Sequence, residues 1–522
     1  MIIKGSVKKG AYSDSVSLMA AAKRVCAMPG VLDAALVMGT RENKSILQSS
    51  GMMLPVLEGA SDADLVVSIK AESAAVADAV IRDIEKHLKD SPAKPGSGSA
   101  RSSVRSLDGA LKVMPDANLA LISVAGRYAG AEARSALERG LNVMIFSDNV
   151  TVEEEIVLKQ EAASKGLFVM GPDCGTALIN GVPLGFANAV RRGPIGIVAA
   201  SGTGLQEVSC ICSNLGQGIS QAIGTGGRDV KKEVGGIMFV GGIRALAADP
   251  DTRVLLLVSK PPHKDVLQKI SLAVKEAKKP VVSVFLGSKE VMPGVFAART
   301  LEEAAHAAAA IASGTNAAAP NAALVARMKT DKDLVKKLAL ALDGKKNRRF
   351  LRALYSGGTF ASEALVMMRD AADVFAPGSV HANIALEPFN KLEDSWKSRE
   401  HTVIDLGEDE FTVGRPHPMI DYTLRNRKII EEAASPETAL LLLDVVLGYG
   451  SHPDPSSEIA PVIREACRSV PVICAVTGTD ADPQGRARTI MELRAAGAVV
   501  TESNAHACSL AIELIRTIEN VQ

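Results

Sequence analysis

Apolar and polar positions change rhythm several times along the chain. Up to about residue 90, strand-like runs (Ile2 to Lys8, Leu32 to Met38, Leu65 to Lys70) alternate with helix-like stretches (Ser13 to Met28, Ala74 to Lys89). That order predicts a small α+β domain of ferredoxin-like type over residues 1–92. The polar Pro/Gly/Ser stretch from Ser91 to Ser99 then predicts a flexible linker. From residue 118 the alternation becomes regular. Leu119 to Val124, Asn142 to Phe146 and Leu167 to Met170 are apolar, with helical periodicity between them at Ala129 to Arg139 and Glu153 to Lys165. Helices lying between apolar strands predict a parallel sheet, here a Rossmann-like unit over 112–192. A second α/β unit spans 193–314 and ends on the Ala-rich helix Leu301 to Ala312. A polar linker begins at Ser313, and a third α/β unit covers 346–522.

The last two units read as diverged copies. Ser201-Gly202-Thr203 answers Ser356-Gly357-Gly358-Thr359. Asp249-Pro-Asp-Thr252 before an aliphatic run answers Ser435-Pro-Glu-Thr438 before another, and Lys279-Pro280 answers Val470-Pro471. Three matches in one order predict a duplication, with an insertion near 375–402 in the later copy. In each copy a strand-like run leads through a small glycine-rich turn into a helix. Such a turn leaves backbone N–H groups free where the helix dipole is positive, which makes it a cradle for phosphate. An ordinary N-cap is the competing reading of either turn alone. Each copy has a second polar loop after its next strand. In one it holds Gly226, Gly227 and Arg228; in the other it runs from Asp405 to Arg415 and His417. Loops at the carboxyl ends of parallel strands share one face. Arg228 and Arg415 are therefore candidate phosphate clamps, and His417 a candidate hydrogen-bond donor or proton shuttle beside a functionless loop histidine. Cys174, in the turn Gly171-Pro-Asp-Cys174, reads as a small buried residue lining the site rather than a nucleophile.

Composition narrows the class. Apolar residues make up 47%, charged residues 23% and aromatics only 3%, which suits aliphatic parallel sheets. The formal net charge of zero offers no basic surface for nucleic acid or anionic membrane, and the run Lys345 to Arg349 reads as a solvated edge. No stretch is long enough to span a bilayer and no signal-peptide pattern opens the chain, so a cytoplasmic location is expected. Seven scattered cysteines predict reduced thiols, and eight histidines without ligand spacing predict no metal.

These motifs resemble the succinyl-CoA synthetase superfamily of NDP-forming acyl-CoA ligases. Gly171 to Cys174, Gly196 to Thr203 and Ile223 to Gly227 are similar to the α-subunit from its CoA domain into its first ligase domain; the third unit is similar to the ligase domain of the β-subunit. The resemblance implies a truncated Rossmann-like CoA-binding-type domain and two flavodoxin-like ligase domains related by duplication. It also implies that the two helix starts (Ser201, Gly202, Thr203; Ser356, Gly357, Gly358, Thr359) hold the active-site phosphate. Within that superfamily the chain most resembles the FdrA-type family, through Ser123 to Gly126, Gly227 to Asp229, Ser259 to Pro262 and Thr412 to Asp421. Two departures stand beside the resemblance. The segment Gly287 to Gly294 lacks the histidine that the synthetases phosphorylate, and neither their first CoA-gripping turn nor an ATP-grasp domain is present. The FdrA-type resemblance implies a subunit of an oxamate carbamoyltransferase, acting with companion subunits on carbamoyl phosphate and a small amide-carboxylate, without cofactor. The alternatives are an acyl-CoA synthetase-like protein needing partner subunits and a non-catalytic scaffold.

Overall fold

The structure is a computed structural model that describes residues 2–11, 15–26, 28–49, 51–89, 104, 106–316, 331–340, 342, 347–412 and 416–521. The expected linker at 91–99 and the end of the one after Ser313 lie outside these residues, as does Arg415. The chain divides into two compact units, Met1–Ser103 with Glu408–His417, and Val104–Gly407 with Pro418–Gln522.

In the smaller unit, strands Ile2–Lys8, Leu65–Ala71 and Val31–Met38 form an antiparallel sheet in that order, with Leu65–Ala71 central. Helices Ser15–Cys26 and Ala74–Lys89 pack on one face around Leu36, Val67, Ile69 and Val80. The short helices Arg41–Ser49 and Pro55–Glu58 enclose Leu47, Leu57 and Val66. A sheet whose central strand is buried on alternating sides needs apolar residues at successive positions, as Leu65-Val66-Val67 supplies.

The larger unit contains three sheets. Strands Leu119–Ile122, Asn142–Ile145 and Val169–Met170 are parallel and sequential, the truncated Rossmann-like sheet. The next sheet has seven strands. Its parallel part runs Phe296–Ala297, Val281–Phe285, Val254–Ser259, Arg192–Ala199, Ile219–Gly224 in spatial order. The third sheet runs Val380–Ala382, His401–Asp405, Phe350–Tyr355, Thr438–Val446, Val472–Thr477, Val499–Thr501, all parallel. In the parallel part of both, with the edge strand Val380–Ala382 left out of the count, the first strand in sequence lies between the second and the third, the flavodoxin-like order. The insertion in the later copy supplies the extra edge strand Val380–Ala382. The Asp249–Thr252 and Ser435–Thr438 matches precede or open the third strand of each sheet, and the Lys-Pro and Val-Pro matches precede the fourth. The duplication is therefore topological as well as sequential.

One unforeseen element completes the seven-stranded sheet: the hairpin Thr176–Ile179/Val182–Gly185, which adds antiparallel to Ile219–Gly224. Its two-residue turn, Asn180-Gly181, has φ of 50° and 78°. Asn-Gly is favoured there because both central residues of this turn need positive φ.

Four helices lie between the two flavodoxin-like sheets: Gly202–Asn214 and Leu301–Ala312 from the first half, Gly358–Asp370 and Asn504–Val521 from the second. One apolar cluster runs through them from Ile197 and Leu205 to Leu351, Phe360 and Leu514. Every residue of Thr438–Val446 is buried, and so is every residue of Val254–Ser259. That double-sided coverage is what an unbroken aliphatic run requires.

Candidate active site at two facing helix starts

Strand Arg192–Ala199 delivers the chain to Ser201, the N-cap of Gly202–Asn214, whose hydroxyl accepts the Gly204 N–H at 3.1 Å. Strand Phe350–Tyr355 delivers the equivalent turn, with Gly357 as the N-cap of Gly358–Asp370. The two helix starts meet. Ser201 Oγ lies 2.7 Å from Thr359 Oγ1, and the Thr359 N–H donates to Thr203 Oγ1 at 3.4 Å. The glycines permit this approach. A Cβ at Gly204 would stand 2.3 Å from Ser201 Oγ, one at Gly357 2.9 Å from Thr203 Cγ2, and one at Gly358 2.4 Å from Asp405 Oδ2. The first N–H groups of a helix have no partner within it, so those of Gly202, Thr203 and Gly358 point out of the helix starts beside two hydroxyls.

The halves are not equivalent. In the second turn, Asp444 accepts the Ser356 N–H at 2.9 Å, the Gly357 N–H at 3.0 Å and the Ser356 hydroxyl at 2.9 Å. Asp444 is fully buried at the end of the third strand, and Arg425, also fully buried, pairs with it at 2.6 Å and donates to the Leu354 and Asp444 carbonyls. The protein's own carboxylate thus occupies the position that an anion would take on those two N–H groups. An expected symmetrical cradle is in fact lopsided: Ser356 and Gly357 are engaged internally, while Ser201, Gly202, Thr203 and Gly358 are partly exposed and Thr359 is buried beside Ser201. Neither Asp444 nor Arg425 was selected from the sequence. A lone acid inside the run Ala439–Val446 was the available signal.

The other expected site residues fall elsewhere. Arg228, read as a clamp, is engaged by Glu155 (Nε to Oε2, 2.8 Å) and by the Val150 carbonyl at 2.9 Å. Its neighbour Asp229 joins a buried cluster. Lys159 donates to Glu155, to Asp229 and to the Thr225 carbonyl at 2.8, 2.8 and 2.9 Å, and Asp229 accepts the N–H groups of Met238 and Phe239. The Gly227-Arg-Asp229 sequence is thereby a structural tie between the Val152–Ser164 helix and the second sheet. Gly226, at φ of 80°, brings its loop onto Pro172, where a Cβ would meet the Pro172 carbonyl at 2.3 Å; Gly227 stays clear. Cys174 lies under Gly224, and burial pushes its thiol up to about 12, which leaves it a packed, un-ionised residue. His417 falls in the segment grouped with the smaller unit, whereas both turns belong to the larger. Burial lowers it to about 4, so it is neutral at pH 7 and not poised as a shuttle there. The Gly287 loop, at the place of the synthetases' phosphorylated histidine, packs on Val366 and Arg369 of the opposite half.

Beside the first turn, the loops following strands Ile219–Gly224 and Val254–Ser259 border an open groove of about 460 Å³, lined by Lys231, Lys232, Glu233, Pro261 and His263. His263 Nδ1 accepts the Asp265 N–H at 3.3 Å. In the described residues no helix is long and apolar enough to cross a membrane, and no group of three or more His, Cys, Asp or Glu is placed to hold a metal ion.

A CoA-ligase family model matches residues 354–514, and a CoA-binding-domain model matches residues 191–287. A model described as the AllF heavy metal-associated domain matches residues 1–104. The uncharacterized protein YahF of Escherichia coli K12 is 39% identical, with 99% of each chain covered. A succinate–CoA ligase subunit alpha-2 of Trichomonas vaginalis is 28% identical over 39% of this chain and 64% of its own. The SauD subunit of an ADP-forming sulfoacetate-CoA ligase from Bilophila wadsworthia is 24% identical over 34% of this chain and 62% of its own. These findings overturn the expectation of a carbamoyltransferase: the CoA-ligase and CoA-binding models and the relatives of named activity point to the CoA ligases. The residues of the smaller unit do not fit a heavy metal. Soft metals take thiolates and imidazoles, and residues 1–104 hold one cysteine, the exposed Cys26, and one histidine, His87.

Proposed function

Because the chain belongs to the family of YahF, within the succinyl-CoA synthetase/acyl-CoA synthetase-like superfamily, we propose that it is the ligase core of an acid–CoA ligase of the NDP-forming type. In this reading it works with companion subunits that handle the nucleotide. The observation that carries the proposal is the meeting of two duplicated helix starts, Ser201 Oγ against Thr359 Oγ1 at 2.7 Å. They hold the phosphoryl group of an acyl phosphate. As the carbon–oxygen bond to phosphate breaks, the leaving oxygen takes the electron pair. The charge is met by the N–H groups of Gly202, Thr203 and Gly358 and by the two hydroxyls, already in place before reaction. Coenzyme A, when bound, supplies the thiol that becomes acylated. Lys231 and Lys232, with His263 beside them, are the residues that would hold its phosphate groups, since lysine side chains in a groove of this size match them. Gly287–Gly294 has no histidine, so a phosphoryl-carrying residue comes from a partner.

Calorimetric titration of the full chain with inorganic phosphate and, separately, with coenzyme A tests the reading. Ser201→Ala with Thr359→Val removes two hydroxyl hydrogen bonds to a charged group and is expected to weaken phosphate binding by at least about 10-fold. Lys231→Glu with Lys232→Glu should weaken coenzyme A and leave phosphate unchanged. Unaltered phosphate affinity in the first variant, together with full activity of the complex containing it, would instead favour a scaffold.

A further inference from the structure

We infer that Glu207 and Glu363 are positioning residues that set the gap between the two turns, each by capping the last helix of the opposite half. The inference rests on the reading of those turns as one anion site. Glu207 lies six residues beyond the N-cap Ser201, and Glu363 six residues beyond the N-cap Gly357. Each is therefore the other's counterpart in the duplication.

Their contacts are exchanged. Glu207, on the helix of the first half, accepts the Asn504 N–H at 2.9 Å and the Thr477 hydroxyl at 2.5 Å, both in the second half. Glu363, on the helix of the second half, accepts the Leu301 N–H at 2.7 Å in the first. Leu301 and Asn504 are the first residues of the last helix in each half. A carboxylate there satisfies an orphan N–H and meets the positive end of the helix dipole. Asn504 closes the loop by donating its side-chain amide to Glu363 at 2.8 Å and to the Phe360 carbonyl at 3.2 Å. Both acids are 1% exposed, in an interface whose core is apolar and which also carries hydrogen bonds from Gln206 to the Leu447 carbonyl and from Asn214 to the Gly478 carbonyl. Apolar contact alone is non-directional and tolerates sliding; the two crossed caps add direction on the helices that carry the turns. Because each acid sits on the helix whose start forms a turn, the register they fix is the distance between Ser201 and Thr359.

Burial raises Glu207 to about 8 and Glu363 to about 7, opposed by these hydrogen bonds, and Glu302 adds to both. The caps therefore hold with one or both acids protonated near neutrality, where a hydroxyl still leaves a carbonyl oxygen to accept the N–H.

The test uses two readouts on the full chain. Ser201→Cys with Thr359→Cys places thiols where the hydroxyls meet, and the yield of the 201–359 disulfide under a fixed glutathione buffer reports the gap without any ligand. Glu207→Asp and Glu363→Asp, added singly to that background, keep the carboxyl group but withdraw the acceptor by one methylene. Glu207→Gln and Glu363→Gln keep its reach. The Asp variants should lower the disulfide yield several-fold and the Gln variants should leave it near the parent. Disulfide yields equal to the parent in folded Asp variants overturn the inference, as does an equal fall in the Gln variants. In parallel, Glu207→Asp alone, with both hydroxyls intact, should weaken inorganic phosphate binding by about 10-fold. Absence of phosphate binding by the unsubstituted protein would remove the anion-site reading while the disulfide readout still decides the positioning role.

Discussion

Asp444 offers the sharpest test of how the second turn is built. Its carboxylate is fully buried and receives four donors: the Ser356 and Gly357 N–H groups, the Ser356 hydroxyl and Arg425. Asp444→Ala strips all four and leaves Arg425, itself fully buried, without its counter-charge. Uncompensated buried charges of this kind cost about 3–5 kcal/mol. For a flavodoxin-like half of this size that lowers the melting midpoint by on the order of 10 °C. Asp444→Asn keeps one acceptor oxygen and loses the charge, which removes about 2 kcal/mol. The single tryptophan, Trp396, reports locally, because its carbonyl accepts Lys428 at 2.7 Å from the same helix that carries Arg425. Denaturant unfolding followed by Trp396 fluorescence gives the magnitude, and a cycle with Arg425→Met isolates the pair. A loss below about 1 kcal/mol in Asp444→Ala, the value of an exposed pair, would refute the buried-pair accounting. Phosphate titration adds a second criterion: Asp444→Asn frees N–H groups on the turn and should bind phosphate more tightly than the parent. Unchanged affinity would show that the second turn's N–H groups do not face an anion.

Stability should depend on pH through an acid limb and an alkaline limb. Glu207 and Glu363 are raised above the ordinary carboxylate value, so the folded chain binds more protons than the unfolded, and their stabilisation is lost progressively as pH rises from about 4.5 to about 7 for Glu363 and about 8 for Glu207. Tyr355 and Cys508, which face Glu363, stay un-ionised over this range because burial raises both. His401, enclosed by Phe350 and Phe375, is lowered to about 4 by burial, and its stabilisation is lost as pH falls from about 6.5. Melting scans from pH 4 to 9 should show both limbs, and Glu207→Gln with Glu363→Gln should flatten the alkaline one; an unchanged alkaline limb would count against it. Gly358→Ala drives a methyl to 2.4 Å from Asp405, so phosphate binding should be lost while the far-ultraviolet circular dichroism persists; retained binding would place the anion elsewhere. Lys159→Met leaves Asp229 buried without its cation and Glu155 with Arg228 alone, a loss of about 3–5 kcal/mol, to be read by denaturant titration; a loss under 1 kcal/mol would contradict it.

The strands of the larger unit were legible because aliphatic runs covered on both sides have a distinct length and bounding turns. Leu119, Asn142 and Phe350 open strands where the hydrophobic pattern begins. Helices were legible in position but not in their first turn. The periodicity over Ala129 to Arg139 misses Gly126 to Tyr128, since Gly126, packed against the Asp148 and Asn149 backbone, carries no apolar signal and Arg127 and Tyr128 are exposed. The two turns were legible through duplication, and their encounter followed from topology. What was not legible was who satisfies whom. Arg228 looks free in sequence because Glu155 lies on another helix, and Asp444 looks like a stray acid because Arg425 approaches from a helix before it. Pairings across the fold leave no local trace, and these decide which donors remain for a ligand.

The exchanged helix caps have a consequence for synthesis. Glu207 and the Asn504 N–H that caps with it are 297 residues apart in the chain. At about 5–20 residues per second on the ribosome, roughly 15–60 s separate their emergence. Throughout that interval the first flavodoxin-like half is present with an acid and an apolar helix face that only the second half can cover. The interface between the halves can therefore close only after the second half has emerged.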